Sequence, residues 1–481
     1  MLQAVVAVGE ASMESRLRAL PPEELLAVAL RLAASHPDAL EAALTPDAVA
    51  SPPRKKSKKE KKKAGMDMSR YEQRCIALWI SYEGGAYSGF AEQNIPGAGV
   101  DTVERQLFAA LKKTCLVESR ESCGYSRCGR TDKGVSALGQ VVGLRVRSAA
   151  RAGEPVGGLD FHAGDALAGG RRELDYVNML NRVLPDDVRA LAWRPVVPEF
   201  SARFSCASRT YRYFFPATSP NTGAAYDVPA MAAAAARLVG DHDFRNFCKM
   251  DVLHVKNFRR VVYAADVRKT GDGFFFEIHG QAFLWHMVRS LVAVLFLVGE
   301  GLEPPAVVDA LLDVARTPRK PQYLIADERP LVLHDCAFDT LSPDAAPLPE
   351  PLDYLATHFE GAYRAAVVEA AKRRNDLERL DAFAVRRSDL DALLAETGAA
   401  PAPPGAALVP WPAARALLRG AADAKLRAAH TPLLDRETGK SYEEKVDAMN
   451  PRVAAQFAAI EEKRATDGDQ RDFHTEKRAA G

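Results

Sequence analysis

Residues 124–140 read GYSRCGRTDKGVSALGQ, a charged and turn-rich stretch that leads into an apolar one. This stretch contains one carboxylate, Asp132, which lies between Arg130 and Lys133. Opposite charges within reach favour the ionised form of a carboxylate. We therefore expect the pKa of Asp132 to be low, so that the side chain is charged well below neutral pH and can serve as a nucleophile or a base.

The charged turn is attached to a predicted strand. Residues 139–148 (GQVVGLRVRS) alternate apolar and polar side chains, as a half-buried strand does. Gly129 and Gly134 bracket the turn and would permit backbone angles or a close approach that residues with a side chain resist. An isolated RTDKG string is most often a solvated turn, but one that is anchored to a sheet is a candidate site that a substrate can approach.

Hydrophobic patterning predicts an α+β protein over residues 70–342. Thr102 is expected to cap a helix, because apolar residues recur after it at helical spacing. The second half of this region repeats the strand and helix pattern of the first. Further strands are predicted at residues 74–83, 188–196, 209–216, 261–268, 274–281 and 331–338, and further helices at 175–184, 230–239, 284–298 and 304–315.

Composition is consistent with a soluble enzyme-sized chain. It has 481 residues, of which 47% are hydrophobic, and a net charge of +1. Charges of each sign are segregated along the sequence, so local basic patches matter more than the sum. No run of eighteen apolar residues and no secretory leader pattern is found, so we expect neither a membrane span nor secretion.

The cysteines predict a reduced cytosolic or nuclear protein. There are seven, they are scattered, and none forms a C-x-x-C pair. Cys123 and Cys128 lie near the candidate turn, but their spacing without a partnering Cys or His cluster is poor for zinc. We therefore expect buried free thiols and no metal.

The N-terminal part divides at residue 51. Residues 1–50 are expected to form a helical segment, because 23–44 have helical apolar spacing. Residues 51–69 are expected to be a disordered basic linker, since 51–63 (SPPRKKSKKEKKK) carry eight basic residues and one acidic one. This linker could direct nuclear import, contact phosphates, or only separate two segments.

The chain resembles the TruA-type tRNA pseudouridine synthases in several ordered blocks. Residues 129–135 (GRTDKGV) are similar to the segment that holds the family's nucleophilic aspartate. The resemblance covers roughly residues 70–340, with weaker similarity at 430–446. The sequences of these blocks are most similar to those of the eukaryotic branch that modifies positions 38 and 39. The further blocks are residues 200–215 (FSARFSCASRTYRYFF), 241–250 (DHDFRNFCKM), 257–260 (NFRR) and 280–289 (GQAFLWHMVR).

The resemblance implies an architecture and partners. Two similar α/β halves, residues 70–217 with the nucleophile and residues 218–342, would join into one continuous, mainly antiparallel sheet flanked by helices, with the catalytic cleft between them. Residues 343–481 would be an extension of peripheral helices and linkers. The implied partner is tRNA, held by a homodimer without metal or cofactor, and the implied location is nucleus and cytoplasm.

The implied reaction breaks the N1 glycosidic bond of a uridine in the anticodon arm and rejoins the base through C5. Asp132 would be the nucleophile, attacking ribose C1′ or uracil C6, or the base at C2′. Arg289 would be its ion-pair partner and Arg130 a second cation. Tyr211, rather than Tyr213, would stack on the flipped uracil.

A set of cations near these blocks is expected to grip RNA, although any one of them alone is more often a solvated charge. Trp285 and His286 are left out of the catalytic set, because a Trp on a buried helix is usually core. Ser136 and Trp285 depart from the pattern of bacterial members and could alter which nucleotides are accepted. The proposed RNA contacts are Arg127, Lys133, Arg203, Arg209, Arg212, Lys249 and Arg259, with Lys256 and Arg260 beside them.

Two rival functions remain open from the sequence. A non-catalytic RNA-binding protein would keep the arginines and aromatic residues but would not need Asp132. An N-glycosidase would also use a carboxylate against C1′, but it would release the base and leave an abasic site.

Overall fold

The computed structural model describes residues 66–92, 101–162, 164–271, 273–339, 341 and 349–467. The helical segment predicted for residues 1–50 and the linker predicted for 51–69 lie outside these residues, apart from 66–69. A short 3₁₀ turn, Met68–Arg70, leads into the first strand, with the Asp67 carboxylate accepting the Ser69 N–H at its start.

The described residues build a nine-stranded sheet in the order β4-β1-β3-β9-β5-β8-β7-β6, with β2 paired to β3. All pairings in it are antiparallel except that of β3 with β9, where Ser136 lies opposite Val332. The predicted α+β class with a continuous, mainly antiparallel sheet is confirmed. The strands are β1 (Tyr71–Tyr82), β2 (Ser126–Arg127), β3 (Ser136–Arg151), β4 (Val188–Pro195), β5 (Cys206–Pro216), β6 (Gly240–Asp243), β7 (Arg259–Thr270), β8 (Gly273–Gly280) and β9 (Leu331–Phe338).

Helices cover the sheet at the places that apolar periodicity indicates. The expected cap is present, since Thr102 Oγ1 accepts the Arg105 N–H at 3.3 Å. Asp175 and Asp227 cap the next two helices in the same way. The helices of the sheet region are α1 (Val103–Lys113), α2 (Tyr176–Asn181), α3 (Val228–Ala236), α4 (Met287–Gly299) and α5 (Val307–Leu312).

Two apolar cores lie at the two ends of the sheet. The first packs α1 and α2 on β1, β3 and β4. The second packs α3, α4 and α5 on β7 and β8. The loop that carries Asp132 and the segment before α4 both lie at the middle of the sheet, between these cores.

The strands of the two predicted halves interleave. β9, from residues 218–342, lies between β3 and β5, which come from residues 70–217. β5 in turn pairs with β8 and β9, so both of its neighbours belong to the second half. The sheet is therefore joined by strand exchange and not by two separate edges meeting.

The C-terminal extension is only partly peripheral, which corrects the prediction for residues 343–481. Leu433 is fully buried in the second core, and its N–H donates to Glu303 Oε1 at 2.6 Å. Pro321 forms a β-bridge with Thr438. The other elements here are α6 (Pro349–Asp381), β10 (Ala384–Arg386), α7 (Arg387–Glu396), β11 (Leu408–Pro410), α8 (Trp411–Ala429), α9 (Tyr442–Asp447) and α10 (Pro451–Asp467).

None of the helices in the described part of the chain combines the length and the apolar character that crossing a membrane requires.

Candidate active site

A cleft of 2070 Å³ opens at the middle of the sheet. Its walls come from the β2–β3 loop with Asp132, from β5 with Tyr211, from the segment before α4, and from the start of β7. Basic residues outnumber acidic ones, so the cleft suits a polyanion. Its cationic lining residues are Arg120, Arg127, Arg130, Arg203, Arg209, Lys256, Arg259, Arg260 and Arg289, against the carboxylates of Glu121, Asp132, Asp241 and Asp251.

The Asp132 loop is held on both sides by its neighbours. Thr131 O accepts the Phe90 N–H at 3.2 Å, and the Thr131 hydroxyl lies 2.8 Å from the Tyr82 hydroxyl. Gly134 has a φ of 79°, and a Cβ there would come within 2.6 Å of Glu328 Cγ. The predicted need for glycine is therefore confirmed at position 134.

Gly129 does not have the conformational role predicted for it. A Cβ at this position would meet its nearest neighbour at 3.7 Å, which is ordinary contact, and the backbone angle is not left-handed. Its N–H and carbonyl instead bond to the amide side chain of Gln140, both at 3.1 Å. These two bonds tie the loop to β3.

Burial raises the pKa of Asp132, while the charges of His286 and then Arg289 oppose that rise. The expectation that Arg130 and Lys133 would hold this pKa low is therefore wrong. The carboxylate is 28% exposed, and His286 Nε2 lies 3.6 Å from its Oδ2. The basic side chain nearest to this carboxylate is thus that of His286, which is charged only when protonated, and desolvation affects Asp132 more than its neighbours in sequence do.

Arg289 acts on Asp132 only at longer range. Its Nη2 donates to Glu328 Oε2 at 2.7 Å, and its Nε donates to Ala326 O at 2.7 Å. The predicted ion pair with Asp132 is replaced by this pair with Glu328, a residue that sequence reasoning missed because it lies far along the chain in an unremarkable loop. The side chain of Glu328 in turn raises the pKa of Asp132.

His286 is not in the catalytic set that the sequence predicts, yet it lies close to the Asp132 carboxylate. Burial lowers the pKa of His286, and the charge of Asp132 opposes this. Its backbone has a φ of 59°, which lies in the left-handed region, and α4 begins at the next residue. The signal available in the sequence was its place in the same block as Arg289.

Trp285 is not a core residue, contrary to the expectation. It is 45% exposed and lines the cleft, because it precedes α4 instead of lying on the buried helix. Lys249 Nζ lies 4.0 Å from the centre of its ring. Lys249 therefore meets the cleft through this indole and is not itself a lining residue.

The two tyrosines of β5 lie in different surroundings, as the choice of Tyr211 over Tyr213 requires. Tyr211 lines the cleft and meets Phe283 edge-on at 5.1 Å. Tyr213 is buried in the second core against Phe296. Burial raises the pKa of Tyr211, so its hydroxyl remains protonated at neutral pH.

Arg130 lines the cleft and is exposed. Its partial desolvation, and then the positive charge of Arg127, lower its pKa. Arg127 and Arg120 both bond to the buried carboxylate of Glu104.

Arg209 donates to three backbone carbonyls, including Gln281 O at 2.7 Å, so it holds the cleft wall together.

Besides Lys249, two more of the predicted RNA contacts are not part of the cleft lining. Arg212 lies on the opposite face of β5 from Tyr211, where strand alternation puts it, and its Nε donates to Glu277 at 2.7 Å. Lys133 is exposed outside the cleft lining. Arg203 lines the cleft, and so does Arg259, whose guanidinium donates to Asp241 O at 2.9 Å.

All seven cysteines are free thiols, as expected. However, the structure gathers three that the sequence scatters. The sulfurs of Cys128, Cys206 and Cys336 lie within 4.8 Å of one another. The expectation that no cysteine cluster exists is therefore wrong, because strands that are distant in sequence become neighbours in the sheet.

Known proteins match much of this chain. Residues 234–339 match the family model described as tRNA pseudouridine synthase. A human protein named tRNA pseudouridine(38/39) synthase is 48% identical over 294 residues, which cover 58% of this chain and 59% of that protein. The Saccharomyces cerevisiae protein of the same name is 40% identical over 318 residues, covering 65% of this chain and 67% of that protein.

The likeness extends to archaea. tRNA pseudouridine synthase A of Methanothermobacter thermautotrophicus is 32% identical over 256 residues, which cover 52% of this chain and 79% of that protein. This chain spans less than two thirds of the human relative's length. The yeast and archaeal matches cover two thirds or more of those proteins at 40% and 32% identity, and on this ground the chain belongs to the tRNA pseudouridine synthase family.

Proposed function

We propose that this chain isomerises uridine to pseudouridine in the anticodon stem-loop of tRNA, at positions 38 and 39. The names of the human and yeast relatives support the substrate and the positions. One observation carries the chemistry: a half-buried carboxylate, Asp132, faces a large cleft in which cations outnumber anions.

Asp132 is the proposed nucleophile or base. In the overall reaction the N1–C1′ bond breaks, a C5–C1′ bond forms, N1 gains a proton and C5 loses one, so that no oxidant or reductant is consumed. Attack at C1′, attack at C6 and proton removal at C2′ all require the ionised carboxylate. The charge of Arg289, and that of His286 when it is protonated, support that form against the effect of burial.

The target uridine must leave the base stack to reach Asp132. Tyr211 offers an aromatic face in the cleft wall, braced by the edge of Phe283. Arg289, which is bonded to Glu328, contributes positive charge that favours the ionised form of Asp132, and Arg130 adds positive charge to the cleft lining. Arg127, Arg203 and Arg259 are the proposed phosphate contacts, while Arg209 positions the wall that carries them.

The test uses purified full-length chain and unmodified tRNA transcripts, with pseudouridine mapped by carbodiimide-dependent reverse-transcription stops. Stops are expected at position 38 or 39. Asp132→Asn should reduce them by a factor on the order of a thousand or more, because it removes the reacting group. Asp266→Asn is the matched control, since Asp266 pairs with Arg268 on β7 away from the cleft.

Two results would overturn the proposal in different ways. If the wild-type protein binds tRNA but makes no pseudouridine on any transcript, it is an RNA-binding protein. If the target uridine is lost and an abasic site remains, the protein is an N-glycosidase.

We also infer that two copies of the chain hold one tRNA, and that the protein occupies nucleus and cytoplasm. The family resemblance supports the homodimer, and light scattering should give twice the mass of one chain. The basic run at residues 51–63 supports nuclear entry. Deleting that run from a fluorescent fusion should lower the nuclear share, and an unchanged distribution would refute its role.

A further inference from the structure

Three buried thiols meet where the two halves of the sheet join. Cys128 lies in the loop that carries Asp132, Cys206 begins β5, and Cys336 lies on β9. Their sulfurs all lie within 4.8 Å of one another, and the residues are only 5%, 9% and 3% exposed. Three segments that are distant in sequence thus contribute one sulfur each to this cluster.

We propose that these sulfurs bind one thiophilic divalent cation, zinc being the fitting class. Thiolates bound to zinc at 2.3 Å in tetrahedral geometry lie about 3.8 Å apart, so the sulfurs need to approach by no more than about 1 Å. Three free cysteines can also fill a core as small apolar side chains. The convergence of all three sulfurs within 4.8 Å of one another is what distinguishes a ligand set from such filling.

The charge balance of the surroundings selects a divalent ion. Three thiolates with a divalent cation carry a net charge of −1, and the guanidinium of Arg209 beside Cys128 compensates it. Arg209 is fixed there by the carbonyls of Gln281, Arg203 and Cys128. A monovalent cation would leave one buried negative charge unbalanced, which is costly.

Sulfur ligands favour zinc over magnesium or calcium, which prefer oxygen. Cys128 and Cys206 also line the cleft, so we expect a fourth ligand such as water to come from that side. Binding releases the thiol protons as the three cysteines become thiolates. The geometry therefore fits a three-cysteine site with one exchangeable ligand.

The cation would act as a positioning element. Cys128 precedes Asp132 by four residues, and Cys206 precedes Tyr211 by five on β5. A metal that joins both to β9 would fix the distance between the carboxylate and the stacking ring. The inference is independent of the proposed reaction, because metal content is measured without RNA.

The test is made on the full-length protein, purified under reducing conditions and freed of loose metal. Mass spectrometry of the elements should find about one zinc per chain. Cobalt exchanged into the wild-type protein should give a thiolate-to-cobalt charge-transfer band in the near ultraviolet. Because this measurement uses the wild-type protein, it does not depend on whether a variant folds.

A variant then assigns the ligands. Cys336→Ser should lower zinc content or affinity by about tenfold or more, because one of three ligands loses its sulfur. Cys248→Ser is the matched control, since Cys248 is also a buried free thiol but lies outside the cluster. It should retain the zinc and the cobalt band.

Three results would overturn the inference. Wild-type protein that holds no zinc and shows no charge-transfer band with cobalt has no such site. A disulfide between two of the three cysteines in protein isolated without reductant would mean that the cluster is a redox pair. Equal loss of zinc in Cys248→Ser would mean that the metal binds elsewhere.

Discussion

At the scale of single residues, the candidate site places two carboxylates, Asp132 and Glu328, within the influence of one guanidinium, that of Arg289. His286 and Arg289 both act on Asp132, but the guanidinium of Arg289 is hydrogen-bonded to Glu328. Two carboxylates thus compete for one arginine. This arrangement keeps the reactive carboxylate less stabilised than a direct ion pair would, which preserves its basicity.

Glu328→Gln tests that competition. The charge of Glu328 raises the pKa of Asp132, and its removal also leaves the positive charge of Arg289 uncompensated, so both effects lower that pKa. Activity that needs ionised Asp132 is lost as pH falls through its pKa. The acid limb of the pH profile of kcat/KM should therefore move to lower pH in the variant.

The control for this shift is Glu277→Gln, which removes a carboxylate that pairs with Arg212 on the other face of the sheet. It should leave the acid limb in place. An acid limb in Glu328→Gln that stays where it is in the wild type, or moves to higher pH, would show that Glu328 does not tune Asp132.

At the scale of elements, hydrophobic periodicity predicts the strands and helices, but it does not predict contacts between residues that are distant in sequence. The strand at Leu331–Phe338 has the predicted bounds, because its apolar residues repeat in a pattern that the sequence displays. The helix predicted at 284–298 begins instead at Met287, since His286 adopts a left-handed backbone. This left-handed residue places Trp285 in the cleft instead of the expected core. Hydrophobic periodicity does not predict such a backbone conformation.

The same limit explains the contacts that were missed. Glu328 and the three clustered cysteines are brought together by the order of strands in the sheet, which the sequence states only through pairings distant along the chain. The Asp132 loop and Tyr211 could be predicted, because local motifs carry them.

The segment after α8 is predicted to be peripheral. Two adjacent leucines in it differ in burial and therefore test this prediction. Leu433 is fully buried in the second core, whereas Leu434 is 39% exposed. Leu433→Ala should cost about 2–5 kcal/mol of unfolding free energy, because it leaves a cavity. Leu434→Ala should cost about 1 kcal/mol or less.

Denaturant unfolding of the two variants gives these free energies directly. The substitutions are chemically identical and one residue apart, so a difference between them reports burial alone. Equal, small losses would mean that residues 430–446 do not belong to the core of the sheet region.

At the scale of the whole molecule, exchange of strands joins the two halves. β9 completes the first core with Leu333 and Phe338, although it comes from residues 218–342. The cleft lies at this joint, and so do Asp132 and Tyr211, which belong to strands or loops on either side of β9. The geometry of the site thus depends on both halves being folded together.

This dependence predicts how fragments behave. Residues 70–217 alone would leave β5 without either of its strand partners and would expose the part of the first core that β9 covers. Such a fragment should show no cooperative thermal transition and should bind a hydrophobic dye, because unpaired strands and an open core do not offset the entropy of ordering. Mixing it with residues 218–467 should restore a cooperative transition. If residues 70–217 alone unfold cooperatively, the two halves are independent domains and strand exchange is not what sets the distance between Asp132 and Tyr211.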